Sequence, residues 1–98
     1  SIETDALKLF TNRNKVEIND NEIKLTVKEY EIIKLMMKNP DRIYTIEMIY
    51  EIVWDEAFTY NAKNTVMVHI KNLRNKLIKA CGDACIHTEW GRGYRFER

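Results

Sequence analysis

The chain has 98 residues, 45% of them hydrophobic and 10% aromatic, enough apolar material for one small core without disulfide or metal staples. A formal net charge of +1 excludes a uniformly basic or acidic chain, and two cysteines are too few for a disulfide framework. Its apolar runs fall short of the roughly 18 residues of a membrane span, and Ser1 to Asp5 lack the features of a signal peptide. A cytoplasmic chain forming a single domain over residues 1–98 is expected, with no membrane partner.

Charge is distributed unevenly. Residues 1–56 hold eight Lys or Arg against twelve Asp or Glu, whereas residues 57–98 hold eight against three. From Ala57 to Gly82 there is no acid, but Lys63, Lys71, Arg74, Lys76 and Lys79 are present. Clustered cations of this kind attract the phosphates of a polyanion whatever its base sequence.

Ala6–Phe10, Lys15–Ile18 and Glu22–Leu25 alternate apolar with polar residues, the period of strands with one buried face. Thr11 to Asn14 and Asn19 to Asn21 between them are rich in turn formers, so an antiparallel meander is predicted. Thr26 with Glu29 forms a capping box that opens a first helix. Its apolar face is Tyr30, Ile33, Leu35, Met36 and Met37, and Asn39-Pro40-Asp41 stops it. Thr45 caps a second helix carrying Ile46, Ile49, Tyr50, Val53 and Trp54 at spacings of three and four. Trp54 reads as a core anchor.

After a loop over Asp55 to Tyr60, Asn61 is the expected N-cap of a third helix. Val66, Ile70, Leu73 and Leu77 fall within about 60° of one another at 100° per residue and form its core face. Asn64, Val68, Lys71, Asn72 and Asn75 project from the opposite side, flanked by Thr65, His69, Arg74 and Lys76. Small amides and one valine suit base edges. Cys81 and Cys85 share one face if the helix continues, and with His87 they supply at most three zinc ligands, so no metal or cofactor is expected. Ala84–Thr88 and Tyr94–Glu97 can pair as a hairpin around Glu89-Trp90-Gly91-Arg92-Gly93.

The predicted fold class is α+β: an N-terminal sheet (1–25), three helices (26–80) and a hairpin (84–98), the order of a winged helix. Ser, His, Asp, Glu and Cys form no nucleophile or paired-carboxylate constellation and no Gly-rich loop precedes a helix, so catalysis is not expected.

Leu25-Thr26-Val27-Lys28-Glu29-Tyr30-Glu31, Asn39-Pro40, Val53-Trp54, Asn64 through Leu77 and Thr88 through Phe96, in this order, resemble the OmpR/PhoB-type winged-helix effector domain of bacterial two-component response regulators. The resemblance implies a four-stranded antiparallel N-terminal sheet, a three-helix core and a hairpin wing, with the third helix in the major groove of double-stranded DNA. It also implies promoter half-sites bound as repeats by a dimer or tandem pair, and a receiver domain outside this chain controlled by a sensor kinase. Val68 and Asn72 match base-reading positions: a valine packs on a thymine methyl, and an asparagine pairs with adenine N6 and N7. Asn64, Thr65, His69, Lys71, Arg74 and Lys76, with Thr88 and Tyr94 of the wing, match or flank backbone-contacting positions.

Several residues depart from the family pattern. Asn64 and Asn72 stand where many relatives carry arginine, Met67 replaces an acid, and Trp90 stands where some relatives place arginine. Either Arg92 takes the minor-groove contact or Trp90 packs beneath the wing. Asp55, Glu56 and Phe58 lie in the loop that meets RNA polymerase in the family, or form a solvated acidic loop. The competing reading is a winged-helix protein–protein interaction module.

Overall fold

The computed structural model describes residues 2–4, 7–10, 15–18 and 20–97, with backbone alone for 2–4, 7–10 and 18. Four short strands pair antiparallel in chain order: β1 (Ile2–Thr4), β2 (Leu7–Phe10), β3 (Lys15–Ile18) and β4 (Asn21–Lys24). The β3–β4 register sets Val16 opposite Ile23 and Lys15 opposite Lys24. Val16 is fully buried and Ile23 packs on the same core, while Lys15 and Glu22 form an ion pair of 3.3 Å on the polar side. Ile2–Thr4, ahead of the alternating segments, pairs with β2. Three residues are too few to display a period of two. Ala6 and the Thr11–Asn14 and Asn19 turn positions lie outside the described residues.

The capping box is present as read. In α1 (Val27–Lys38) the Thr26 hydroxyl accepts from the Glu29 amide at 3.2 Å and Glu29 Oε1 accepts from the Thr26 amide at 3.0 Å. Its buried face is Tyr30, Ile32, Ile33, Met36 and Met37, with Leu35 half-buried. In α2 (Ile46–Trp54) the Thr45 hydroxyl accepts from the Met48 amide at 3.0 Å.

α3 (Ala62–Cys81) departs from expectation at both ends. Asn61 stands at the N-cap but makes no side-chain cap bond, because its backbone is already helical (φ −67°, ψ −21°) where capping needs an extended residue. The amides of Ala62 and Lys63 are taken instead by the carbonyls of Thr59 and Tyr60, at 2.9 and 3.2 Å. The helix stops at Gly82 (φ 78°), so Cys81 and Cys85 do not share a helical face; Cys85 sits in the core with φ 62°. That kink also delays the hairpin, which begins at Ile86.

Val66, Ile70, Leu73 and Leu77 are buried as the helical stripe required, packing with α1, α2 and the hairpin residues Ile86 and Phe96. The hairpin pairs β5 (Ile86–Glu89) with β6 (Gly93–Phe96), and Tyr94 bridges across to Tyr44 ahead of α2. The result is an α+β winged helix, three helices with a C-terminal β-hairpin. Among the described residues, no helix is long and apolar enough to cross a membrane.

Periodicity alone does not find the link between α1 and α3. Glu29 is only 3% exposed, and its Oε1 accepts from Lys76 Nζ at 2.6 Å. Burial by itself raises a carboxyl; here the Lys76 hydrogen bond and charge, with the Thr26 donors, outweigh it and hold Glu29 below the ordinary carboxylate value.

Candidate nucleic-acid interface

α3 offers solvent one long side. Asn64, Val68, Lys71, Asn72 and Asn75 are exposed there, opposite the buried stripe, as the helical wheel predicts. Toward the hairpin this side falls into a groove of about 480 Å³ lined by Asn64, Met67, Val68, Lys71, Arg74, Asn75 and Ile78, with the largely buried Tyr94 reaching it from β6. Thr65, His69, Asn72 and Lys76 are not part of this groove, as expected for the other flank of the helix.

The candidate backbone-contacting residues differ in how they are held. Arg74 Nη1 donates to the Thr88 hydroxyl at 2.9 Å, tying α3 to β5 and fixing two of these residues relative to each other. His69 Nδ1 lies 2.7 Å from the Thr65 carbonyl; a carbonyl only accepts, so this nitrogen carries the proton and Nε2 is left to other partners. Its ring meets Trp54 edge-on at 5.1 Å between centroids. Lys76, on the same flank, is engaged by the buried Glu29 while its side chain stays 38% exposed.

Trp54 anchors the α2 end of this surface. It packs partly buried against the core and stacks on Tyr50 at 5.2 Å, while Lys28 lies 5.3 Å from its ring and donates to the Val53 carbonyl. The loop that follows is pinned to α2. Tyr50 donates its hydroxyl to Glu56, the Phe58 amide donates to Glu51, and the Phe58 ring meets Tyr50 edge-on. Burial and then the Glu56 carboxylate push the Tyr50 phenol up. Asp55 and Glu56 remain exposed.

At the hairpin tip the structure decides against Trp90 packing underneath. Its indole is 90% exposed, and pairing of Glu89 with Gly93 confines the turn to Trp90-Gly91-Arg92. Arg92 is exposed at the other end of the same turn. On the outer face of the hairpin Arg95 binds Glu89 and Glu97 and faces Asp41, so these carboxylates are partly neutralised. The Glu89 bond, then that of Glu97, holds the guanidinium above its ordinary value.

Sequence reasoning named Val68 as the apolar member of the exposed face. Met67 and Val68 are each 42% exposed and Ile78 is 48% exposed, so the groove side of α3 is more apolar than that reading allowed. At 100° per residue Met67 and Ile78 fall at the margin between core and solvent, where angle alone cannot assign them.

A long exposed helix crossing beside a hairpin, with cations on its flanks, defines a winged helix-turn-helix domain of the nucleic-acid-binding type. The transcriptional regulatory protein C-terminal family model matches residues 20–96, so the chain belongs to that family, the OmpR/PhoB type. Over 84 residues it is 45% identical to the uncharacterized transcriptional regulatory protein YrkP of Bacillus subtilis, spanning 85% of this chain and 36% of that protein. The chain therefore corresponds to little more than a third of that relative. Its fold matches the DNA-binding domain of CpxR from E. coli with TM-score 0.80 at 27% identity, covering 96% of this chain and 92% of that one. The response regulator DrrB of Thermotoga maritima, an OmpR/PhoB homolog, gives TM-score 0.80 at 26% identity over 98% of this chain and 43% of that one.

Proposed function

We propose that this chain is the effector domain of a response-regulator transcription factor and binds double-stranded DNA in a sequence-specific manner. The observation that carries this reading is the exposed side of α3. There the neutral Val68 and Asn72 sit between a groove flank carrying Lys71 and Arg74 and an opposite flank carrying Thr65 and His69.

With α3 in the major groove, Val68 packs on a thymine methyl and Asn72 accepts from adenine N6 while donating to N7. Asn64, Thr65, His69, Lys71, Arg74 and Thr88 position the phosphate backbone, which fixes register but reads no sequence. Tyr94 serves as the floor of the groove. Lys76 stabilises α3 through Glu29 and takes little part in phosphate binding. The wing lies over the adjacent minor groove.

The remainder of the regulator is part of the same proposal: a phosphorylatable receiver domain outside this chain, a sensor kinase, and paired copies on repeated half-sites. RNA polymerase is the proposed partner of the Asp55, Glu56 and Phe58 loop. No chemical step is proposed.

Asn72→Ala is expected to weaken binding to the cognate half-site by about 1–3 kcal/mol, roughly 5- to 150-fold, with much smaller losses on random duplex. Gel-shift titrations on both duplexes check this; equal losses on the two would remove Asn72 from base reading. The exposed Met67, Val68 and Ile78 favour one competitor, a protein-interaction module that docks an acidic partner through α3. Such a module forms no complex with random duplex even at low salt.

A further inference from the structure

The two most exposed large hydrophobic side chains among the described residues are Trp90, 90%, and Tyr60, 85%. Leaving an indole and a phenol ring in water forfeits the burial that normally places such residues inside, and a pair of them marks a surface with a partner. They belong to elements far apart in sequence, the hairpin tip and the turn before α3. Yet both line one cleft of about 540 Å³, and each is accompanied there by a cation. One wall carries Tyr60 and Lys63, the other Trp90 and Arg92.

Two carboxylates also line the cleft. Glu89 is bound by Arg95, which leaves Glu47 as the acid set against Lys63 and Arg92. Met67 lines both this cleft and the groove along α3, so the two depressions are neighbours.

We propose that this cleft is a clamp for a single sugar–phosphate strand of duplex DNA, the strand that passes from the groove occupied by α3 to the groove beneath the wing. The proposal rests on the DNA-binding reading above and assigns a role to Tyr60 and Lys63, which that reading leaves unused. Lys63 and Arg92 neutralise successive phosphates from opposite walls. Tyr60 and Trp90 pack their ring faces on the deoxyriboses between those phosphates. Cations attract the phosphates without regard to base sequence, and ring faces laid on the sugars bury apolar surface that every nucleotide offers alike. A large indole at the tip also suits packing on a strand better than threading a narrow A·T minor groove, where a slender guanidinium fits.

The test is a set of titrations of the whole chain with a random-sequence duplex at several salt concentrations. Tyr60→Ala and Trp90→Ala are each expected to weaken binding by roughly 3- to 10-fold through lost apolar burial, leaving the slope of log K against log salt unchanged. Lys63→Ala and Arg92→Ala are expected to weaken binding and to lower that slope by about 0.9 each, one released counterion per lost phosphate contact. Bound duplex should also shield Trp90 from acrylamide quenching, against a background from partly buried Trp54. All four side chains are exposed, so unchanged melting temperatures control for folding. Wild-type affinity in both aromatic variants would overturn the clamp and leave the DNA-binding reading standing. Failure of the wild-type chain to bind any duplex at low salt would overturn both.

Discussion

Gly93→Ala is expected to destabilise the domain by roughly 3–5 kcal/mol, the combined cost of backbone strain and broken hydrogen bonds. A Cβ at this position would stand 2.0 Å from the Tyr44 carbonyl oxygen and 2.7 Å from its carbon. Both neighbours are backbone, so neither rotates away. The same carbonyl accepts from the Tyr94 amide at 2.9 Å, and Tyr44 donates back to Tyr94 at 2.8 Å, so the added methyl group pushes apart the bridge that fastens β6 to the helical core. The φ of 139° adds strain of its own. Gly91 is the internal control: its φ of 77° also favours glycine, but nothing lies within 4 Å of its absent Cβ. Gly91→Ala should cost only about 1 kcal/mol. At about 4–8 °C per kcal/mol for a domain of this size, thermal unfolding separates the two variants clearly; equal melting temperatures would show that the close approach at Gly93 is not rigid.

Lys76→Met is expected to cost about 2–4 kcal/mol, because it strands the buried Glu29 carboxylate without its ammonium. The range sits a little below that of a fully buried pair, since Lys76 is itself 38% exposed and Glu29 keeps the Thr26 amide. Adding Glu29→Gln should recover much of the loss. Glutamine retains the capping-box acceptor and removes the unpaired charge, so the double variant should be more stable than Lys76→Met alone in urea unfolding. A double variant no more stable would place the cost in packing of the lysine stem instead. The pair also sets an acid limit. Glu29 titrates lower in the folded chain than in the unfolded one, so its contribution is complete above the ordinary carboxylate value. It is lost as pH falls through the depressed folded value. Wild type should therefore lose stability through that acidic window more steeply than Glu29→Gln.

The elements with the clearest chemistry were legible in the sequence. The Thr26 capping box, the Thr45 cap and the Val66–Leu77 stripe emerge in the structure because each rests on a local rule: a hydroxyl three residues before an amide, or a spacing of three and four. The same local reasoning exposes Asn64, Val68, Lys71 and Asn72. It fails where tertiary structure intervenes. Asn61 has capping chemistry, but the preceding turn supplies the acceptors. Lys76 looks like a free cation until α1 brings Glu29 against it. For Trp90 the sequence leaves packing beneath the wing open, and only the three-residue turn, which holds the indole 90% exposed, decides against it. The Tyr60–Trp90 cleft joins residues 30 positions apart and leaves no periodic trace.

Selection of bound sequences from a random duplex pool tests the central claim most directly. A domain that reads bases through Val68 and Asn72 predicts enrichment of one repeated half-site containing A·T pairs, with affinity that drops steeply as salt rises. Recovery of duplexes sharing no sequence, or of none at low salt, would contradict it.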